Sequence, residues 1–218
     1  LLVILNSYTM AEEKRYLQNL IAKIKGGNLP AEERMAVTWF KSIVEESMIG
    51  LAKEVVPQYL KIDAAQQGTL TGRLIPGRMY FFMYNPKHKA TLPYYDLFPL
   101  VLPIQKFSDG FLGINFHYLY PKDRAILLDE LKVFVNDRTL SETARIRVSY
   151  NMLRGFTRFK RAKPCIKRYL TTYMKSQFIP VTPDEWGPAL FLPVEQFRKR
   201  NKMAVWQESK EIYTAIRQ

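Results

Sequence analysis

The stretch Tyr94–Tyr120, YYDLFPLVLPIQKFSDGFLGINFHYLY, decides how the rest of the chain is read. Apolar and aromatic residues fill it on both sides of Asp109-Gly110. An Asp-Gly pair between apolar runs is the strongest short-range hairpin signal, because glycine supplies the turn conformation at no steric cost. Toward the N-terminus, Leu74–Tyr84 is a further aromatic and β-branched run, set off by Pro76-Gly77 and Asn85-Pro86. Strands joined by such turns predict a small antiparallel β-sheet or barrel between residues 72 and 121.

The flanks have helical periodicity. Residues 11–25 place Tyr16, Leu17, Leu20, Ile21 and Ile24 on one face, and Gly26-Gly27 stops the helix. Pro30 opens a second helix with Trp39, Phe40, Ile43, Val44 and Ile49 as its apolar stripe. These form a helical N-terminal hairpin, an arm over residues 1–63, followed by a polar connector. Beyond the sheet, Pro121 ends the strands and Asp123 is placed to cap a helix carrying Leu127, Leu128, Leu131, Phe134 and Val135. Thr139 and Glu142 form a capping box for the next helix, Pro164 opens another with Ile166, Leu170, Tyr173 and Met174 inward, and a last helix runs from about Val194. The expected fold class is therefore α+β: the arm, then one domain over 72–218 with a central β region (72–121) and a basic, helical C-terminal half (122–218).

Charge is concentrated in one place. The chain of 218 residues carries a net charge of +13, and residues 143–183 hold ten Lys or Arg and not one Asp or Glu. Each of the three remaining parts (1–62, 63–142 and 184–218) has an excess of a single positive charge. Like charges at that density repel one another unless a partner neutralises them, which points to an anionic partner. Arg147, Arg154, Arg158 and Arg161 share a helix face if the helix continues past Gly155. Lys160, Lys163, Lys167 and Arg168 follow closely, and Lys87 and Lys89 offer a second contact. Interleaved Tyr150, Phe156, Phe159, Tyr169 and Tyr173 suit phosphate contact combined with base stacking. Nucleic acid gripped through its phosphates is the favoured partner, and an acidic protein surface is the competitor. No exposed apolar face accompanies the charge, which argues against a membrane surface.

With 47% hydrophobic residues the chain can bury a core, and no apolar run reaches the roughly 18–20 residues that cross a bilayer. Leu1–Leu5 is short and lacks a basic flank, so it reads as a docked tail rather than a signal peptide. The single cysteine, Cys165, allows no intrachain disulfide and fits a reducing compartment. No cofactor is expected, since neither a GxxxxGK(S/T) loop nor a GxGxxG turn is present. No metal is expected either: two histidines, His88 and His117, and one cysteine fall short of a zinc set. His117 reads as a structural residue in an aromatic strand, and His88 as a solvated loop tip. Asp109 with Glu130-Leu131-Lys132 superficially matches the Asp…Glu-x-Lys layout of a metal-dependent nuclease. The plainer reading of Glu130 and Lys132 is an exposed charged helix face. Catalytic residues are accordingly expected to be absent.

Longer motifs carry a resemblance. Gly77–Lys89 (GRMYFFMYNPKHK), Leu92–Asp96 (LPYYD), Phe98–Val101 (FPLV) and Asp109–Leu119 (DGFLGINFHYL) resemble the DNA end-protector, or head-completion, family of T-even-like tailed phages. A weaker echo runs from Lys163–Leu170 to Trp186 and Phe191–Pro193. The resemblance implies a non-enzymatic virion protein that binds the ends of packaged double-stranded DNA and blocks host exonuclease. It also implies assembly in the host cytoplasm beside other phage structural proteins, and it carries over no catalytic residue. A tail, neck or baseplate component docked on an acidic subunit is the alternative, and a metal-dependent nuclease the third.

Overall fold

Residues 79–84, MYFFMY, are apolar throughout because successive side chains of an extended strand point to opposite faces and here both faces are buried. Met79, Phe81 and Met83 join one core cluster, and Tyr80, Phe82 and Tyr84 join another. The structure is a computed structural model describing residues 74–136 and 145–216. The N-terminal hairpin, the connector, the boundary of the arm and the capping box at Thr139 lie outside the described residues.

Strands β1 (Met79–Phe81), β2 (Tyr95–Asp96), β3 (Leu100–Phe107) and β4 (Gly110–Asn115) come first. Helix α1 (Pro121–Lys132) and the short strands β5 (Val135–Asn136) and β6 (Arg145–Ile146) follow. Then come α2 (Tyr150–Gly155), a 3-10 run over Thr157–Cys165, β7 (Ile166–Leu170), β8 (Ile179–Val181), α3 (Trp186–Phe191), β9 (Phe197–Arg198) and α4 (Lys202–Thr214). The main sheet has five strands in the order β7-β4-β3-β1-β8, each neighbour antiparallel. It is open, not a barrel, and it is not confined to residues 72–121, since both edge strands come from the half expected to be helical.

The hairpin forms where Asp109-Gly110 predicts it. Phe107 pairs with Gly110 across the loop residues Ser108 and Asp109. A Cβ on Gly110 would lie 1.9 Å from the Tyr169 carbonyl oxygen, so glycine here lets β7 approach the tip. Pro76-Gly77 is also a turn, closed by Arg78 N–H donating to Ile75 O at 3.3 Å, with Gly77 at φ +86°. Pro103, which has no N–H to give, sits where the β3–β4 register shifts.

One sheet face packs on the helices through Leu100, Leu102 and Ile114 against Leu127, Leu128 and Leu131 of α1, and Trp186 and Val205 belong to the same core. The other face is aromatic: the Phe82 ring centroid lies 5.2 Å from Tyr169 and 5.4 Å from Phe178, both nearly edge-on. Edge-to-face rings of this kind add about 0.5–1.5 kcal/mol each beyond area burial.

Several helical expectations are corrected. Helix α1 starts at Pro121, which suits a first helical position, so Asp123 lies in its first turn and does not cap it, and Phe134 and Val135 fall past its end. The residues after Pro164 form strand β7, because backbone pairing with β4 prevails over helical spacing. The last helix starts at Lys202, where the Asn201 side chain accepts from Ala204 N–H at 2.9 Å. The preceding residues supply β9, paired with β2.

A buried ion pair ties α1 to the segment after α3. The Arg124 guanidinium is fully buried, donates to Leu119 O at 2.9 Å and Leu190 O at 2.8 Å, and is hydrogen-bonded to Glu195. Burial alone would raise the Glu195 carboxyl, but Arg124, His117 and Lys202 outweigh it and hold the group at about 2.

Candidate nucleic-acid interface

The acid-free segment does not fold as one helix. Ser149 caps α2 by accepting from Met152 N–H at 3.3 Å, and the chain turns extended at Phe156, with φ −110° and ψ 126°. The 3-10 run follows, so Arg147, Arg154, Arg158 and Arg161 do not line a single helical face. A Cβ added at Gly155 would meet nothing within 4 Å, so the break comes from the backbone at Phe156 and not from crowding at the glycine.

Two of the outer cations, Arg154 and Arg158, stand over aromatic rings. Arg154 lies 5.5 Å from the centroid of Tyr150, and Arg158 lies 4.8 Å from Phe134 and 4.7 Å from Phe159. Stacking fixes a guanidinium without neutralising it, and leaves its N–H groups free to donate. Arg147, Arg154 and Arg158 are exposed, Lys160 is half-buried, and Phe156 is 51% exposed beside them. Among the described residues no ion pair involves any of these four cations.

Two members of the segment do find acids. Arg161 turns inward and donates to Asp123 at 3.2 Å and Glu130 at 3.0 Å, while Tyr213 OH donates to the other Asp123 oxygen at 3.0 Å. Arg168, at the exposed edge of β7, pairs with Asp109 on the hairpin tip and donates to Tyr169 O at 3.0 Å. These contacts also engage the two acids of the nuclease layout. Asp109 and Glu130 are held by different arginines, and Glu130 and Lys132 are half-buried where an exposed face was expected. Among the described residues no group of three or more His, Cys, Asp or Glu is placed to hold a metal ion. His117 is buried with Nδ1 at 2.7 Å from Asp96, and its Nε2 has no partner among the described residues. Cys165 is buried, and burial pushes its thiol up to about 12.

A further group of cations lines a cavity of about 770 Å³ between edge strand β7, the loop after Tyr84 and helix α4. Lys87 and His88 come from the loop, and Lys163, Lys167 and Arg168 from the basic segment. Lys89 is exposed on the same loop but does not line the cavity. The loop is anchored by Lys199, whose ammonium donates to Ala90 O at 2.7 Å and Leu92 O at 2.9 Å. Five tyrosines line it: Tyr84, Tyr94, Tyr95, Tyr118 and Tyr169. Lys167 Nζ lies 4.0 Å from the Tyr118 ring centroid, and burial lowers its pKa.

The two acids that reach this cavity are already engaged. Asp96 accepts from Phe98 N–H at 3.1 Å, Gln196 N–H at 3.2 Å and Asn115 at 3.3 Å, besides its contact with His117. Glu208 accepts from Tyr94 OH at 2.9 Å and pairs with Arg200. A cavity with surplus cations, aromatic walls and saturated acids suits a planar anionic ligand. Sequence reasoning names its lysines but misses Tyr84, Tyr94, Tyr95 and Tyr118. The one advance signal is the interleaving of aromatics with charge, which picks out Tyr169.

None of the described helices is long and apolar enough to cross a membrane. Comparison with protein families matches residues 10–214 to the family described as phage T4 terminal DNA protecting protein. No curated protein and no solved structure matches the chain.

Proposed function

The chain belongs to the phage T4 terminal DNA protecting protein family and is a virion protein that protects DNA ends; we propose that it does so by occupying the end of the duplex, with no bond made or broken. Arg147, Arg154, Arg158 and Lys160 grip backbone phosphates on the outer surface. Lys163, Lys167 and Arg168, with Lys87 and Lys89 on the facing loop, take the phosphates nearest the terminus. Contacts of this type are independent of base sequence, as a protein that meets whatever sequence ends the genome requires. An exonuclease that must thread or seat a free end finds it covered. The protein joins the particle in the host cytoplasm, beside other structural proteins of the head and neck.

The observation that carries this reading is the state of Arg154 and Arg158: exposed, ring-stacked and without a carboxylate partner among the described residues. A patch built to dock on an acidic protein would serve equally well by charge alone, and the family's description as a DNA protecting protein favours DNA as the anion. Linear duplex DNA is the test substrate. Affinity should fall with log–log salt slope of about −0.9 for each phosphate contact, and bound protein should slow digestion by a duplex exonuclease. Absence of binding to linear DNA at about 50 mM salt would sink the proposal.

A further inference from the structure

We infer that the tyrosine-lined cavity receives one unpaired terminal nucleotide of the DNA, its base against the ring of Tyr94 and its phosphate on Lys167 and Lys163. This rests on the end-protection reading and specifies what the end does when bound.

Size comes first. About 770 Å³ falls within the roughly 300–1,000 Å³ of pockets that take one small molecule, far too little for a base-paired step of duplex. Only a nucleotide that has left the helix can enter. The terminal nucleotide has a neighbour on one face only and the weakest pairing, so flipping it out is the least costly unstacking the duplex offers.

The chemistry of the walls matches such a guest. Tyr94 and Tyr118 line the cavity with ring centroids 5.8 Å apart and 37° between planes; Tyr118 is buried with Lys167 over its ring, so half-buried Tyr94 is the ring that offers a base its surface. Tyr94 is fixed by its hydrogen bond to Glu208 at 2.9 Å, so the platform is set before any ligand arrives. Stacking on tyrosine accepts every base, in keeping with a site that must not read sequence.

Lys167 supplies the second, independent reason. Its ammonium is half-buried over Tyr118 and has no carboxylate partner among the described residues, although Asp96 lies on the same cavity wall. Asp96 is occupied by its four hydrogen bonds and so is not available to balance it. A cation partly withdrawn from water without an anion is unfavourable, and a phosphate brought into the cavity relieves that. Lys163 and Lys87 at the rim make the entrance positive, which draws the strand inward. Burial lowers the Lys167 pKa, as expected where the anion has yet to arrive.

The test uses the full chain and a short duplex prepared two ways, with open ends and with both ends closed by hairpin loops. The open form carries 2-aminopurine at the 5′-terminal, the 3′-terminal or a central position. Open-ended DNA should bind at least about tenfold tighter than closed DNA, the scale of one stacked base. Fluorescence at one terminal position should be quenched on binding while the central position stays unchanged, and the quenched position identifies the strand. Removing the 5′-phosphate should weaken open-ended binding if the 5′ strand enters. Tyr94→Leu should bring open-ended affinity down to that of closed DNA. If open ends are preferred but both terminal probes remain as bright as in free DNA, the end is held elsewhere and the cavity assignment is overturned while end binding stands. If open and closed DNA bind equally, end recognition itself fails and the cavity assignment fails with it. The probe measurements use the unaltered protein, so they decide the question even if Tyr94→Leu does not fold.

Discussion

Arg124 and Arg158 carry the same guanidinium in opposite settings. Arg124 belongs to the nearly neutral part of the chain, yet it is fully buried, held by two carbonyl oxygens and paired with Glu195. Arg158 belongs to the densest run of positive charge, yet it stands in solvent over Phe134 and Phe159 with no acid beside it among the described residues. Arg161, three positions further along, behaves like Arg124 and not like its neighbour. A count of charge along a sequence therefore shows where an anion is wanted, but only the fold shows which cations remain free to meet one outside it.

That contrast can be broken in four places. The largest effect is expected from Arg124→Met, which leaves Glu195 buried without its partner and should cost about 3–5 kcal/mol in denaturant unfolding. The second is acid. The Glu195 carboxyl sits at about 2 in the folded chain against 4.5 unfolded, so its contribution is complete above pH 4.5 and is lost as pH falls from there toward 2. Wild type should lose about 3 kcal/mol across that window that Glu195→Gln does not, measured as unfolding free energy against pH. An equal decline in both would remove Glu195 from the account of acid stability.

Arg161→Ala comes third. It releases Asp123 and Glu130 from a partly exposed pair and should cost about 1–3 kcal/mol, seen as a lower urea midpoint, with the salt slope of DNA binding unaltered. A flattened slope instead would place Arg161 among the phosphate contacts. Smallest for stability is the double change Arg154→Ala with Arg158→Ala, expected within about 0.5 kcal/mol of wild type. The same pair should flatten the salt slope by about 1.8, two phosphate contacts' worth, in a binding titration on linear duplex.

The parts of the fold legible in the sequence are those determined by near neighbours. The β3–β4 hairpin follows from Asp109-Gly110 and the turn before β1 from Pro76-Gly77, because each needs a backbone conformation that only a few residues supply. Strand β7 reads locally as helix because Ile166, Leu170, Tyr173 and Met174 are spaced for one. What decides it is pairing with β4, more than fifty residues earlier, and no local pattern encodes that. The candidate site divides the same way. Its lysines are visible as a run of charge, whereas its tyrosines lie at positions 84, 94, 95, 118 and 169, and only the folded sheet and loop collect them. The inward turn of Arg161 is hidden for the same reason, since both its acids sit on α1.

Strand β1 lies between β3 and β8, and Tyr80 pairs with Pro180, a hundred residues further along the chain. On a ribosome adding about 5–20 residues per second, β1 waits roughly 5–20 s for that second neighbour. During the wait MYFFMY is a hydrophobic strand with an open hydrogen-bonding edge and no charged residue within it to deter pairing with another nascent chain. The order of strands thus makes yield sensitive to the speed of synthesis: slower translation through residues 85–180 should increase aggregation without altering the stability of the protein that does fold.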